Sequence, residues 1–194
     1  MGRVIVVQYI TLDGVVEDPD GSDGTAAGGW AMRYGPEGIA GDKFRLGSMM
    51  QNGVLLFGRR TWDHFSELWP PRDSEFALQM NAAQKAVATH GHLPDDAWSN
   101  SQPISDPLED WVGKTVREQD IVVIGSGSVV AQLRDANLID EYRLITFPVV
   151  LGEGRTLFPD AAHLELVSSE VVGPGSLSIY RAKEQARSKI PGKK

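Results

Sequence analysis

Ile121-Val122-Val123-Ile124, then Gly125-Ser126-Gly127-Ser128, then Val129-Val130-Ala131-Gln132-Leu133 is the stretch on which the fold turns. Four β-branched residues in a row lack the polar alternation of a half-exposed strand. They predict a strand buried on both faces, at the centre of a sheet. The small-residue loop that follows opens a helix with Val129, Val130 and Leu133 on its apolar side. A strand end leading into a helix start collects unpaired amide hydrogens and the positive end of the helix dipole at one point, and phosphates favour such places. A glycine-rich turn required only for close packing fits the same residues. The loop is no Rossmann fingerprint, because Val130 stands where a third Gly or Ala would be needed. Nor is it a P-loop, since no lysine follows at the required spacing.

Upstream, Val54-Leu55-Leu56-Phe57 has the length of another buried strand and runs directly into Gly58-Arg59-Arg60-Thr61-Trp62, where a helix begins that ends near Trp69-Pro70-Pro71. Here guanidinium groups are available for two-point hydrogen bonds to phosphate oxygens, with the Thr61 hydroxyl at the helix start. Either arginine alone also reads as a solvated surface residue. Two phosphate-type junctions together suggest a dinucleotide. Val4 to Thr11 predicts the first strand, closing on the turn signal Leu12-Asp13-Gly14. Between Glu17 and Gly41 the chain is rich in Gly, Asp and Pro around Trp30. That is longer than an ordinary connection and predicts a functional loop of the lid type.

The remaining pattern supplies a helix within Asp42–Gln51, a short helix over Ser74–Asn81, and short strands at Lys85–Thr89 and Gln102–Ile104. Asp106 caps a helix through Glu118 with Pro107 in its first turn. Glu141–Val150, Leu164–Val172 and Leu177–Tyr180 read as strands without intervening helix, an antiparallel finish to an otherwise alternating α/β chain.

Composition bounds the function. The 194 residues, 41% hydrophobic and 23% charged, suit one soluble domain over 1–182, with the basic stretch 183–194 read as a solvated, disordered tail. No run approaches the roughly 20 apolar residues of a membrane helix, and the N-terminus lacks a signal-peptide pattern. No membrane partner is expected, and the cytoplasm fits. The absence of cysteine excludes disulfides, thiolate metal sites and cysteine nucleophiles. A net charge of −7, from 19 basic against 26 acidic residues, argues against a nucleic-acid partner. No metal site is expected; His90 and His92 read as exposed loop residues unless a third ligand joins them.

In this order, these pieces resemble the dihydrofolate-reductase-like proteins, most closely the stand-alone relatives of the reductase domain of bacterial riboflavin biosynthesis. The resemblance rests on Leu12-Asp13-Gly14, Leu56-Phe57-Gly58-Arg59-Arg60-Thr61-Trp62, the strand at Lys85 and Ile124-Gly125-Ser126-Gly127-Ser128. Its C-terminal part is Asp140-Glu141-Tyr142-Arg143-Leu144, Pro148-Val149-Val150-Leu151-Gly152-Glu153-Gly154 and Leu157-Phe158. It implies a three-layer α/β/α fold with a central mixed, mostly parallel sheet and an antiparallel C-terminal hairpin. It also implies NADPH as cofactor and a homodimer.

By the resemblance, Gly58, Arg59 and Thr61 form the cofactor-phosphate junction, and Gly125, Ser126, Gly127, Ser128 and Val129 the loop over the pyrophosphate. Thr89 and His90 meet the phosphate on the adenosine ribose. True dihydrofolate reductases carry a carboxylate a few residues after a tryptophan in the first loop. Here Trp30 is followed by Ala31, Met32, Arg33, Tyr34 and Gly35, which argues against folate as substrate. Asp13 is the candidate acid, for proton relay or for binding a substrate hydroxyl or ring nitrogen; an Asp-Gly turn without chemistry is the alternative. Many relatives place a histidine where Phe147 stands, so Phe147, with Gly14, Trp30 and Val149, is expected to meet a substrate ring by contact. The leading expectation is hydride transfer from NADPH to a small heterocycle of pterin, flavin or ribitylamino-pyrimidine type. The alternative is a nucleotide- or flavin-binding protein of the same fold without turnover.

Overall fold

The computed structural model describes residues 1–182; the basic tail expected at 183–194 lies outside the described residues. The strands are β1 (Val4–Thr11), β2 (Val54–Gly58), β3 (Gln84–Ala88), β4 (Ser101–Pro103), β5 (Ile121–Ile124), β6 (Glu141–Phe147), β7 (Leu164–Val172) and β8 (Gly175–Ala182). The helices are α1 (Pro36–Ile39), α2 (Met49–Asn52), α3 (Arg59–Leu68), α4 (Glu75–Ala82), α5 (Leu108–Thr115) and α6 (Gly127–Asp135). One eight-stranded sheet runs in the order β4-β3-β2-β5-β1-β6-β8-β7. Every pairing from β4 to β6 is parallel, while β6 with β8 and β8 with β7 are antiparallel. This is the α/β architecture expected from the sequence, with β5 in its interior.

Strand periodicity explains the layers. Val4, Val6, Leu56, Ile121 and Val123 pack with Leu108, Val112, Val129, Val130 and Leu133, so α5 and α6 cover one face. Ile5, Val7, Leu55, Phe57 and Val122 pack with Trp62 and Met80, so α3 and α4 cover the other. β4 tolerates Pro103 because it is the sheet's edge. β6 stops where Pro148 withdraws its amide hydrogen. On β6, buried Glu141 accepts from Arg143 Nε at 2.7 Å and from Arg3 at 2.6 Å, and Arg143 also donates to the Phe44 carbonyl at 3.0 Å.

Two expected helices shrink. In 42–51, the Asp42 carboxylate accepts the Leu46 and Gly47 amides at 2.8 and 2.7 Å and Arg45 takes φ +54°, so a turn replaces the first half and only α2 remains helical. In 106–118, Asp106 binds Lys114 at 2.6 Å rather than capping, and Pro107, at ψ 138°, delays the start of α5 to Leu108. No helix among the described residues is long and apolar enough to cross a membrane.

Candidate functional site

A crevice opens above the C-terminal end of β5. β2 and β5 are parallel neighbours, yet α3 leaves β2 on one face of the sheet and α6 leaves β5 on the other. On the far side of β5, Val7 of β1 pairs with Ile124, the last residue of β5, and β1 continues four residues beyond it to Thr11. Flanking strands outrun the one between them, and their connections diverge to opposite faces; ligands of open α/β sheets bind at such a point.

The two glycine-bearing junctions meet there. Gly125 and Ser126 take φ +59° and +58°, and the Ser126 hydroxyl accepts the Gly58 amide at 2.7 Å. A left-handed serine is costly, and this bond to β2 helps hold it. A side chain on Gly125 would lie 3.3 Å from the Thr61 methyl, so the β2–α3 and β5–α6 turns are packed on one another. The first backbone bond of α6 runs from the Val130 amide to the Ser126 carbonyl at 3.0 Å. The amides of Gly127, Ser128 and Val129 therefore precede the helical ladder. Val129 is buried as a packing residue and Ser128 is exposed. A Cβ on Gly127 would lie 2.7 Å from the guanidinium carbon of exposed Arg155, a residue sequence reasoning did not single out.

On the β2–β3 side, Arg59 binds Asp63 at 2.8 Å and donates to the His92 carbonyl at 3.0 Å, with its guanidinium 5.7 Å from the centre of the Trp62 ring. Thr89 accepts the Gly91 amide at 3.1 Å, and a Cβ on Gly91 would lie 3.9 Å from both Arg59 Nη1 and Thr89 Oγ1. Arg59 and Thr89 are thus brought together, with His90 exposed on the same turn.

On the β1 side a cleft of about 350 Å³ is lined by Gln8, Val16, Gly127, Val130, Arg134 and Arg155, among others. A smaller hollow of about 220 Å³, lined by Val15, Glu17, Thr25, Leu151 and Glu153, shares Gly154 with it. Gln8, Glu17 and Arg155 were missed. A visible signal existed for Gln8, a lone amide directly after the apolar run Val4 to Val7 within the first strand, and for Arg155, a cation directly after the Gly152-Glu153-Gly154 run.

The expected substrate residues divide. Asp13 and Gly14 lie beside Val149: the Leu12 amide donates to the Val149 carbonyl at 2.9 Å and the Leu157 amide to the Gly14 carbonyl at 3.0 Å. The Asp13 carboxylate accepts Thr11 Oγ1 at 2.5 Å and the Leu151 and Gly152 amides at 3.1 and 2.7 Å. The Thr11 hydroxyl and then these amides hold its pKa below the ordinary 3.8, which suits a permanent anion and not the proton relay expected of it.

Trp30 and Phe147 do not face a ligand. Both are fully buried, their rings 5.7 Å apart edge to face, with Tyr9 and Tyr34 also on Phe147 at 5.4 and 5.2 Å. The ring contact expected of them is made by the protein's own aromatics. The Trp30 indole donates to the Glu17 carbonyl at 2.8 Å, which makes it the pin of the first loop.

That loop is built on buried Asp18. Burial raises the Asp18 pKa, but the Asp23 and Thr25 amides and the Thr25 hydroxyl, at 2.8–2.9 Å, outweigh it and leave the net shift downward. Asp20 and Asp23 reach α3 through His64 at 2.9 Å and Arg60 at 2.8 Å, so the loop spans from β1 to the start of α3.

Residues 112–178 match the sequence model of the RibD C-terminal domain family. The uncharacterized protein YyaP of Bacillus subtilis (strain 168) is 25% identical over 185 residues, 91% of this chain and 93% of YyaP. Among solved structures, a Shewanella sp. PV-4 protein provisionally assigned to riboflavin biosynthesis superposes with a TM-score of 0.71 at 20% identity, covering 94% of this chain and 99% of that one. RibD of Acinetobacter baumannii superposes with a TM-score of 0.62 at 17% identity, covering 95% of this chain and 59% of RibD. By sequence over residues 112–178 and by fold over nearly its whole length, the chain is similar to the RibD C-terminal domain and carries its reductase-like fold.

Proposed function

We propose that the protein is an NADPH-dependent reductase acting on a small heterocycle of pterin, flavin or ribitylamino-pyrimidine type. The observation that carries this reading is the meeting of two strand-to-helix junctions, tied by the Gly58–Ser126 hydrogen bond above the end of β5. A ring-sized cleft lies on one side and the Arg59–Thr89 turn on the other. The residues fit a dinucleotide. Beside Gly127 the space a side chain would take is held by the exposed guanidinium of Arg155, which among the described residues makes no ion pair. A guanidinium resting at the positive end of α6 without a counter-charge favours an anion there, bound once the exposed Arg155 side chain swings aside from Gly127.

When bound, the reduced nicotinamide supplies the hydride. The chain supplies placement. The Gly127, Ser128 and Val129 amides would hold the pyrophosphate with Arg155 beside them, Arg59 and Thr89 would hold the ribose phosphate, and Val16 and Val130 would exclude water from the ring. Asp13 keeps the 151–152 turn in place, and the hollow beside Glu17 receives the acceptor.

Arg59→Ala should weaken NADPH by about 1.5–3 kcal/mol and NADH by much less, because the lost charge-assisted contacts face the extra phosphate. Calorimetric titration with both cofactors checks this, and equal losses remove Arg59 from the selective site. A second reading, dinucleotide binding without turnover, is favoured by the closed packing of Trp30 and Phe147. NADPH oxidation across a panel of pterins, flavins and quinones separates the two.

A further inference from the structure

Gln8 is a polar residue placed where the fold has no structural use for one. It follows Val4-Ile5-Val6-Val7 in a strand flanked on both sides, is 8% exposed, and its side-chain amide makes no hydrogen bond to any described residue. A buried amide without a partner is unfavourable. Among the described residues the only side-chain polar atom sealed from solvent without a partner is Trp69 Nε1, so the Gln8 amide is not sealed in the core but open to the cleft it lines.

Its position is specific. Gln8 comes one residue after Val7, the partner of Ile124, and so sits at the level where β5 gives way to the Gly125 loop. The rest of the cleft offers less choice of chemistry. Val16 and Val130 are apolar, the Arg134 and Arg155 guanidinium groups are donor-only, Arg134 already holding the Leu157 carbonyl at 2.9 Å and Asp135 at 2.9 Å, and exposed Thr156 offers a single hydroxyl and no amide pair. A primary amide presents one donor face and one acceptor oxygen, and its natural complement is another primary amide.

We propose that Gln8 recognises the carboxamide of the pyridine ring, pairing donor to acceptor and acceptor to donor and so fixing which way the ring lies in the cleft. This rests on the NADPH reading above. The volume agrees, since about 350 Å³ is at the small end for ligand pockets and suits the ring end of a dinucleotide, not the whole molecule.

The test titrates NADPH, its 3-acetylpyridine analogue, which lacks the amide donor, and 2′-phospho-ADP-ribose, which lacks the ring, into wild type and Gln8→Leu. Loss of about two hydrogen bonds should weaken NADPH roughly tenfold in the variant and leave 2′-phospho-ADP-ribose unchanged. The wild-type preference for NADPH over the acetylpyridine analogue should vanish in Gln8→Leu. Unchanged NADPH affinity, or equal losses for NADPH and the fragment, overturns the assignment. Should Gln8→Leu not fold, wild type alone decides, because equal affinity for NADPH and the analogue also overturns it. Failure of wild type to bind either NADPH or the fragment is a different result: it refutes the cofactor reading, and Gln8 with it.

Discussion

Asp13 acts through the charge it keeps. With one hydroxyl and two backbone amides on its oxygens, its carboxylate is favoured over the acid form, so the anchor on the 151–152 turn is complete above pH 3.8 and is lost only as pH falls through the lowered pKa. Protection of the Leu151 and Gly152 amides, taken as exchange relative to the intrinsic rate at each pH, should therefore be flat from neutrality down to that pH and fall below it; a transition near neutrality would restore Asp13 as a proton donor. Asp13→Asn should leave the hydride-transfer rate within about threefold of wild type, whereas removal of a true general acid costs about 10²–10⁴-fold. From sequence, an Asp-Gly turn and a catalytic acid look alike. The partners that decide between them are some 140 residues away in the chain.

Among the elements, the buried strands were the most legible, since β5 and the hydrophobic part of β2 begin and end where their β-branched and apolar runs do. Short polar stretches were less so. At Asp42 and Asp106 a side chain binds a backbone amide or a lysine instead of the helix end its spacing suggested. The first loop was readable as exceptional in length but not in architecture, because the bonds of Asp18 and Trp30 and the two side-chain contacts to α3 are tertiary. Phe147 belongs here. Its ring joins β6 to that loop through Trp30 and Tyr34, so Phe147→Ala should cost about 3–5 kcal/mol in denaturant unfolding. A loss below about 1 kcal/mol would mean that the ring faces a ligand site and not the core.

For the whole molecule, the order of motifs carried the fold, and the sheet then arranged them in a way no linear reading could. The Gly58 and Gly125 junctions, 67 residues apart, are adjacent because β2 and β5 are neighbours, and the crevice exists because β5 is shorter than β1. Residues expected at the phosphates converge, while Trp30 and Phe147 withdraw into the core and Gln8 and Arg155 take places at the cleft. The central claim is that the start of α6 holds a pyrophosphate. Gly127→Val tests it directly, because the atoms nearest the added Cβ are the end of the exposed Arg155 side chain, which can swing aside, and the change in stability should be no more than about 0.5 kcal/mol. Calorimetric titration of NADPH into wild type and Gly127→Val, with melting curves on the same samples, should show one binding event in wild type and none in a variant that melts normally. A variant that melts normally and binds NADPH as wild type does would contradict the account.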